Sequence, residues 1–411
     1  MRASRALFLP LVVLILFCGA SSALGQVGQS KGAVLPLLDQ ANDPQAEGWL
    51  GYVVAECANR ALNAMRGSLR APEAQELAGA AAQTKRALSL VDSQETARAL
   101  CLAAGLDYVL FGSYRTNNGN VIVDFEIYDN AADKIVVRQS AQGTESDVAA
   151  LGILLARRLA ETVVPAVAVT RTVTRQATPS TSSAEALRKL GAALYHADRA
   201  RAARGAGDNA VYYEELRTAT NRVVAAIDAD PNFSWAYEHL GMMSTEILAL
   251  DPNNAAALNN LGLAHLHSGD YGAAISSLRQ AVQKDPANAE YRVNLANALV
   301  DAAYLFQDQR EANLQEAVRL LEEALATDPQ HIAAQNNLGA VLYEMGKYQE
   351  AAAAYEKAAA LAPQNPYPRL GLGLCYLKLQ QPERARIELN KAIELDPEGV
   401  GVLARAKLPR G

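Results

Sequence analysis

The sequence predicts a chain in two dissimilar parts, an α+β domain followed by an all-α solenoid of stacked helical hairpins. Three observations carry that expectation. Pro252, Pro286, Pro329, Pro363 and Pro397 each close an apolar helical stretch, at intervals of 34, 43, 34 and 34 residues. A fixed period of this length marks helix–turn–helix units, none of which can bury its apolar face alone. Residues 30–165 lack that period, and β-rich stretches alternate there with helical ones. Finally, 411 residues that are 50% hydrophobic and 20% charged supply core material for two or three domains.

At the N-terminus, Arg2 and Arg5 precede an apolar run over residues 6–17, and Ala23-Leu24-Gly25 stand before Gln26. This reads as an export signal over residues 1–25, because the run is too short to span a bilayer. Bulky Phe17 before Cys18 argues against lipid attachment. The mature chain is therefore expected in the periplasm or at the envelope of a bacterium. Within 26–165, residues 32–37 (GAVLPL) read as a buried strand. Residues 48–65 follow as a helix with Leu50, Val53, Val54, Cys57 and Leu62 apolar. A strand is expected at 87–91 and a helix at 94–104, capped by Ser93. Residues 107–114 and 121–128 are β-rich and joined by NNGN, a tight-turn signal since Asn and Gly tolerate positive φ. A strand at 134–140 and an amphipathic helix at 147–163 complete the order β-α-β-α-β-β-β-α. That order implies an α+β sandwich with a mixed sheet.

Residues 166–183 (AVAVTRTVTRQATPSTSS) read as a partly extended Ser/Thr linker that lets the two parts move. Ser182 with Glu185 matches a capping box for the next helix. Residues 184–252 hold a degenerate unit and a truncated one. Leu190-Gly191 opens the first, Ala219, Val223 and Ala226 close it, and a polar insert at 201–209 is expected between its helices. Pro231 to Pro252 leaves room for a single helix. Four units fill 253–397, and 398–411 form a short cap or tail with Val400, Val402 and Leu403 at an apolar end.

Aligned on the prolines, the units repeat their residue types. Leu261-Gly262, Leu295-Ala296, Leu338-Gly339 and Leu372-Gly373 share one position; Ala274, Leu278 and Ala281 recur as Ala317, Leu321 and Ala324 and again further on. Small residues let antiparallel helices approach while Leu and Tyr fill the space between units. This pattern resembles the tetratricopeptide repeat over about half the chain. In the first part, AVLP at 33–36, GLDYVLFGSY at 105–114 and IYDNAADKIV at 127–136 resemble the N-terminal domain of TolB and its relatives. Those relatives usually carry Gly late in the last turn, where Ala132-Asp133 stands here. The resemblance implies envelope assembly or interaction rather than a reaction.

A net charge of −6 and a pI near 5.6 argue against a nucleic-acid partner. The five histidines and four cysteines form no metal-ligand or nucleophile–base pattern, so no catalytic residue, metal or cofactor is expected. Gly371-x-Gly373 lies inside a helix and reads as packing, not a phosphate loop. Cys57 and Cys101 read as buried hydrophobes rather than a bridge. The candidate binding surface is the inner groove of the first helices. Asn260, Asn294 and Asn337 hold one equivalent position there, with Asn297 a turn further on; Tyr343 and Tyr367 add amphipathic area. Set against this is a purely structural role for the amides between repeats. Asn259 and Asn336 occupy places where, by the family resemblance, a carboxylate-clamping variant has Lys, which argues against that mode. A second candidate is the nine-residue excess of the 43-residue interval, where Tyr304 and Phe306 either dock a partner or pack a lengthened hairpin. The function expected is that of an exported protein-binding adaptor. The alternative is an oligomerising structural component of a secretion or appendage complex.

Overall fold

The computed structural model describes residues 30–40, 48–65, 69–72, 74–84, 87–88, 91–163 and 169–409. The expected export signal lies outside them. Strands β1 (Ser30–Val34), β2 (Leu38–Asp39), β3 (Leu69–Arg70), β4 (Tyr108–Asn117), β5 (Asn120–Asp129) and β6 (Lys134–Thr144) form one mixed sheet in the order β3-β1-β4-β5-β6, with β2 also on β4. β1 runs parallel to β3 and β4, whereas β4, β5 and β6 form an antiparallel meander. The NNGN turn is the two-residue hairpin that its sequence signals, with Asn118 and Gly119 both at positive φ. Asp133 also takes positive φ, at the turn where the resemblance puts a glycine, and its carboxylate accepts from the Tyr128 hydroxyl at 2.7 Å.

Helices cover both faces. α1 (Trp49–Ala64) and α4 (Val148–Ala160) pack over Leu110, Val123 and Ile127. On the opposite face, α3 (Gln94–Ala104) packs over Val109, Phe111 and Tyr128, next to α2 (Ala74–Thr84). Ser93 caps α3 in a capping box with Thr96. Cys57 and Cys101 are free and buried in cores on opposite sides of the sheet. The expected strand at 87–91 is not formed at its described residues. The Leu88 N–H is spent instead on the Asp198 carboxylate at 2.7 Å, which draws the segment off the sheet. The second strand in chain order is β2, and β3 with the Ala-rich helix α2 fills chain that the sequence left unassigned.

The linker is corrected as well. Residues 171–177 form helix α5 (Arg171–Ala177), with Val173 and Ala177 buried against α1. Val173 and Ala177, one turn apart, supply an apolar side that a solvated linker lacks. No polar insert separates the next two helices, because α6 (Ala184–Ala206) continues through it to a left-handed Gly207 before α7 (Asn209–Ala229). Residues 201–206 are polar because they end a helix, not because they leave one. The cap of α6 is Ser183, one residue after the expected Ser182.

α8 (Ser234–Leu250) is the single helix that the short proline interval allows. Four hairpins follow: α9 (Ala255–Ser268) with α10 (Tyr271–Lys284), α11 (Ala289–Leu305) with α12 (Arg310–Thr327), α13 (Ile332–Glu344) with α14 (Tyr348–Leu361), and α15 (Pro366–Lys378) with α16 (Pro382–Leu395). First helices touch one another in series and each second helix packs on the next first helix, as in a solenoid. The repeated Ala and Leu positions are buried, except Leu261, which is half-buried. A Cβ on Gly373 would sit 2.6 Å from Leu389, so that glycine is a packing residue. α17 (Val400–Lys407) closes the array with Val400 and Ala404 on Leu389 and Ala392. Its other side leaves Leu403 60% exposed.

One apolar core runs from Val34 through α1, α4 and α5 to α6, α7 and α8. The α+β domain and the first repeat helices are therefore packed together, in place of two bodies on a mobile joint.

Candidate functional site

The inner face is built by α9, α11 and α13. Asn259 of α9 and Asn294 of α11 meet across one seam between repeats, and Asn297 of α11 and Asn337 of α13 across the next, with Asn260 and Asn336 adjoining them in sequence. The Asn294 amide donates to Asn259 Oδ1 at 2.9 Å, and the Asn337 amide donates to Asn297 Oδ1 at 2.8 Å. Within each helix a longer contact of 3.4 Å links Asn259 to Asn260 and Asn336 to Asn337. The pairing differs from the simple equivalence of positions that the sequence suggests. Asn294 reaches Asn259 rather than Asn260, because the side chains cross the seam between repeats. Each amide has two N–H donors and an oxygen with two lone pairs. Asn294 and Asn337 each spend one donor, so both keep a fixed orientation and spare capacity. The Asn336 oxygen is buried without a hydrogen-bond partner among the described residues.

Tyr343 packs edge-on against Tyr348 at 5.3 Å, while Tyr367 is 61% exposed at the start of α15. Tyr304 and Phe306 end the lengthened α11 and stand 51% and 46% exposed, with Arg310 over the Tyr304 ring. Arg310 opens α12, the other helix of the same hairpin, so the Tyr304 ring is covered on one side from within that hairpin. Burial, then the Glu344 carboxylate, pushes the Tyr304 hydroxyl above its ordinary pKa.

Sequence reasoning missed a trough along α8. A helix with no hairpin partner leaves one side open, and the 21-residue proline interval is the signal that could have found it. The groove between α8, α9 and the end of α6 has a volume of about 630 Å³; Tyr237, Met242, Leu261 and Ala264 are among its walls. A second cleft of about 710 Å³ lies where α1 and the segment after α5 meet α8. Ser234 and Glu238 line both, so the two are continuous. His267 stacks on Tyr237 at 4.0 Å. In the wall of the second cleft, Arg60 of α1 bonds Glu56 and Glu238 and covers the Trp235 ring at 4.1 Å, and buried His239 lies 3.5 Å from Glu56.

Burial alone would raise the Glu56 carboxyl, but His239 and Arg60 outweigh it and hold the pKa down to about 2. A carboxyl held lower in the folded chain than in the unfolded one stabilises the fold while ionised. That contribution is complete above the ordinary value of 4.5 and is lost as the pH falls through about 2. Melting temperatures of wild type and Glu56→Gln should therefore differ at pH 7 and converge near pH 2. An equal gap at both pH values would remove Glu56 from the junction's energetics.

The periodic hairpins and their buried signature positions define the repeat. Two sequence profiles described as tetratricopeptide repeat match this chain, one over residues 342–408 and the other over 245–289, 266–303 and 300–366. The hairpins are tetratricopeptide repeats. Repeats of this kind generally mediate protein–protein interaction and peptide binding, and they are typically non-catalytic scaffolds. Among solved structures, the chain is similar to a thermophilic TPR protein of Thermus thermophilus, with 20% identity over 49% of this chain and 95% of that one at a TM-score of 0.36. It is also similar to MamA, with 25% identity over 47% and 95% and a TM-score of 0.33. YrrB, a TPR protein with an unusual peptide-binding site, matches at 19% identity over 45% and 97% with a TM-score of 0.35. Among curated proteins none matches. Among the described residues, no helix is long and apolar enough to cross a membrane and no group of three or more His, Cys, Asp or Glu is arranged to hold a metal ion.

Proposed function

We propose that this chain is an exported, non-catalytic adaptor of a bacterial cell envelope whose tetratricopeptide groove holds an extended protein segment. The observation that carries the reading is the pair of inter-repeat amide bonds, Asn294 to Asn259 and Asn337 to Asn297. Amides fixed in this way meet a peptide backbone without first losing side-chain freedom, which is where preorganised sites gain affinity. Their unspent donors and acceptors match the N–H and C=O groups that an extended segment exposes. Tyr343 and Tyr367 add apolar area with a polar tip. The envelope location rests on the N-terminal signal pattern and on the TolB-like motifs of the first domain.

Extended peptides selected by phage display on the immobilised full chain test this. Asn294→Ala with Asn337→Ala should weaken them about tenfold, the equivalent of one hydrogen bond of about 1.4 kcal/mol. Thermal unfolding should shift only slightly, since the bonds are half-buried. Selected peptides that bind the double variant as well as wild type would leave the amides with a purely structural role.

A further inference from the structure

The trough along α8 is a different surface from the amide seam, and its charge is unbalanced. Four arginines line it, Arg60, Arg175, Arg201 and Arg204, against two carboxylates, Glu238 and Glu246. Both carboxylates are already taken. Glu238 pairs with Arg60 and Glu246 with Arg201 at 2.8 Å. Arg204 meets only the Tyr212 hydroxyl, at 3.4 Å, with its guanidinium 5.3 Å over that ring. Arg175 is exposed, and among the described residues neither it nor Arg204 has an ion-pair partner. Two guanidinium groups without an ion-pair partner among the described residues thus stand at opposite ends of one trough, with the carboxylates of Asp228 and Asp230 near Tyr237 in its wall. Between them lie apolar walls, Met242, Leu261 and Ala264, interrupted by the hydroxyls of Ser234 and Thr245.

We propose that this trough binds an extended acidic peptide, with carboxylates on Arg204 and Arg175 and aliphatic side chains against α8 and α9. Guanidinium groups suit carboxylates because their planar donors meet both oxygens. The lining face of α8 runs from Ser234 to Ala249, roughly 23 Å at the helical rise. An extended segment of about seven residues covers that length. Because the trough joins α1, α5 and α6 to the first regular repeat, a segment bound there touches both parts of the chain.

The test uses the full chain and three fluorescein-labelled peptides of about eight residues, alternating Leu with Glu, Ser or Lys, read by fluorescence anisotropy. The Glu–Leu peptide should bind at least tenfold tighter than the Ser–Leu peptide, and added salt should weaken it. Arg175→Gln with Arg204→Gln should erase that preference, and so should Thr245→Glu, which puts a like charge in the trough. Circular dichroism establishes that these surface variants stay folded. Equal binding of all three peptides overturns the proposal, as does a Glu–Leu affinity unchanged in both variants. A loss seen only in Asn294→Ala and Asn337→Ala would move the peptide to the amide seam and overturn it too.

Discussion

Replacing Asp198 by Ala should destabilise the chain by about 3 kcal/mol, the cost of leaving buried hydrogen-bonding groups without their charged partner. Asp198 sits on α6 and is 2% exposed. Its carboxylate accepts from the Tyr52 hydroxyl at 2.6 Å and from the Leu88 N–H at 2.7 Å, both from the α+β domain. Removing it takes a charged acceptor from a phenol and from a backbone donor in a closed interface. Asp198→Asn should fall between, since its oxygen can serve one donor while its NH2 faces the other. Chemical denaturation followed by near-UV circular dichroism measures both. Hydrogen exchange at the Leu88 amide should rise with Asp198→Ala, and an unchanged amide would detach Asp198 from the segment that it anchors by geometry.

Gly205→Ala should cost at least as much, by a different route. A Cβ on Gly205 would lie 1.7 Å from the Ala82 carbonyl oxygen and 2.6 Å from the Ala82 Cα. Those are backbone atoms of α2, so no rotamer change relieves the clash. α2 and α6 must separate, and overpacking of this kind costs about 3 kcal/mol or more. Gly191 repeats the arrangement at the other contact, where a Cβ would meet the Trp49 carbonyl at 2.5 Å. Limited proteolysis should cut α2 sooner in Gly205→Ala than in wild type. If the variant resists protease and denaturant equally well, the α2–α6 contact is not part of the fold in solution.

Both substitutions probe what the sequence concealed. The period of the prolines and the Gly and Ala positions made the four regular hairpins legible, because repeat packing is local and recurs. NNGN and Ser93 marked a hairpin and a cap for the same reason: each acts within a few residues. The docking of α2 and the segment at Leu88 on α6, and of α5 on α1 and α4, depends on contacts between residues as far apart as Leu88 and Asp198. Nothing in the period or the composition encodes such a pair. Residues 166–183 looked extended because Thr and Ser dominate, yet Val173 and Ala177 suffice to seat a short helix on an existing core. The amides were visible as residue types, whereas their pairing across the seam needed the superhelical offset between helices. The trough was hidden because it arises from a missing helix.

The central claim is that the inner face of the repeats holds a partner segment. A photoreactive benzoylphenylalanine placed at Ala256, Ala333 or Tyr367 tests it directly in cells. These residues are exposed and stand one turn before the amides or at the equivalent place in α15. Gln280 and Lys357, exposed on the second helices α10 and α14, serve as controls. Illumination should give one foreign adduct from the three first-helix positions and none from the controls, with the adduct diminished by Asn294→Ala and Asn337→Ala. Adducts from Gln280 and Lys357 alone, or only between copies of this chain, would contradict the account.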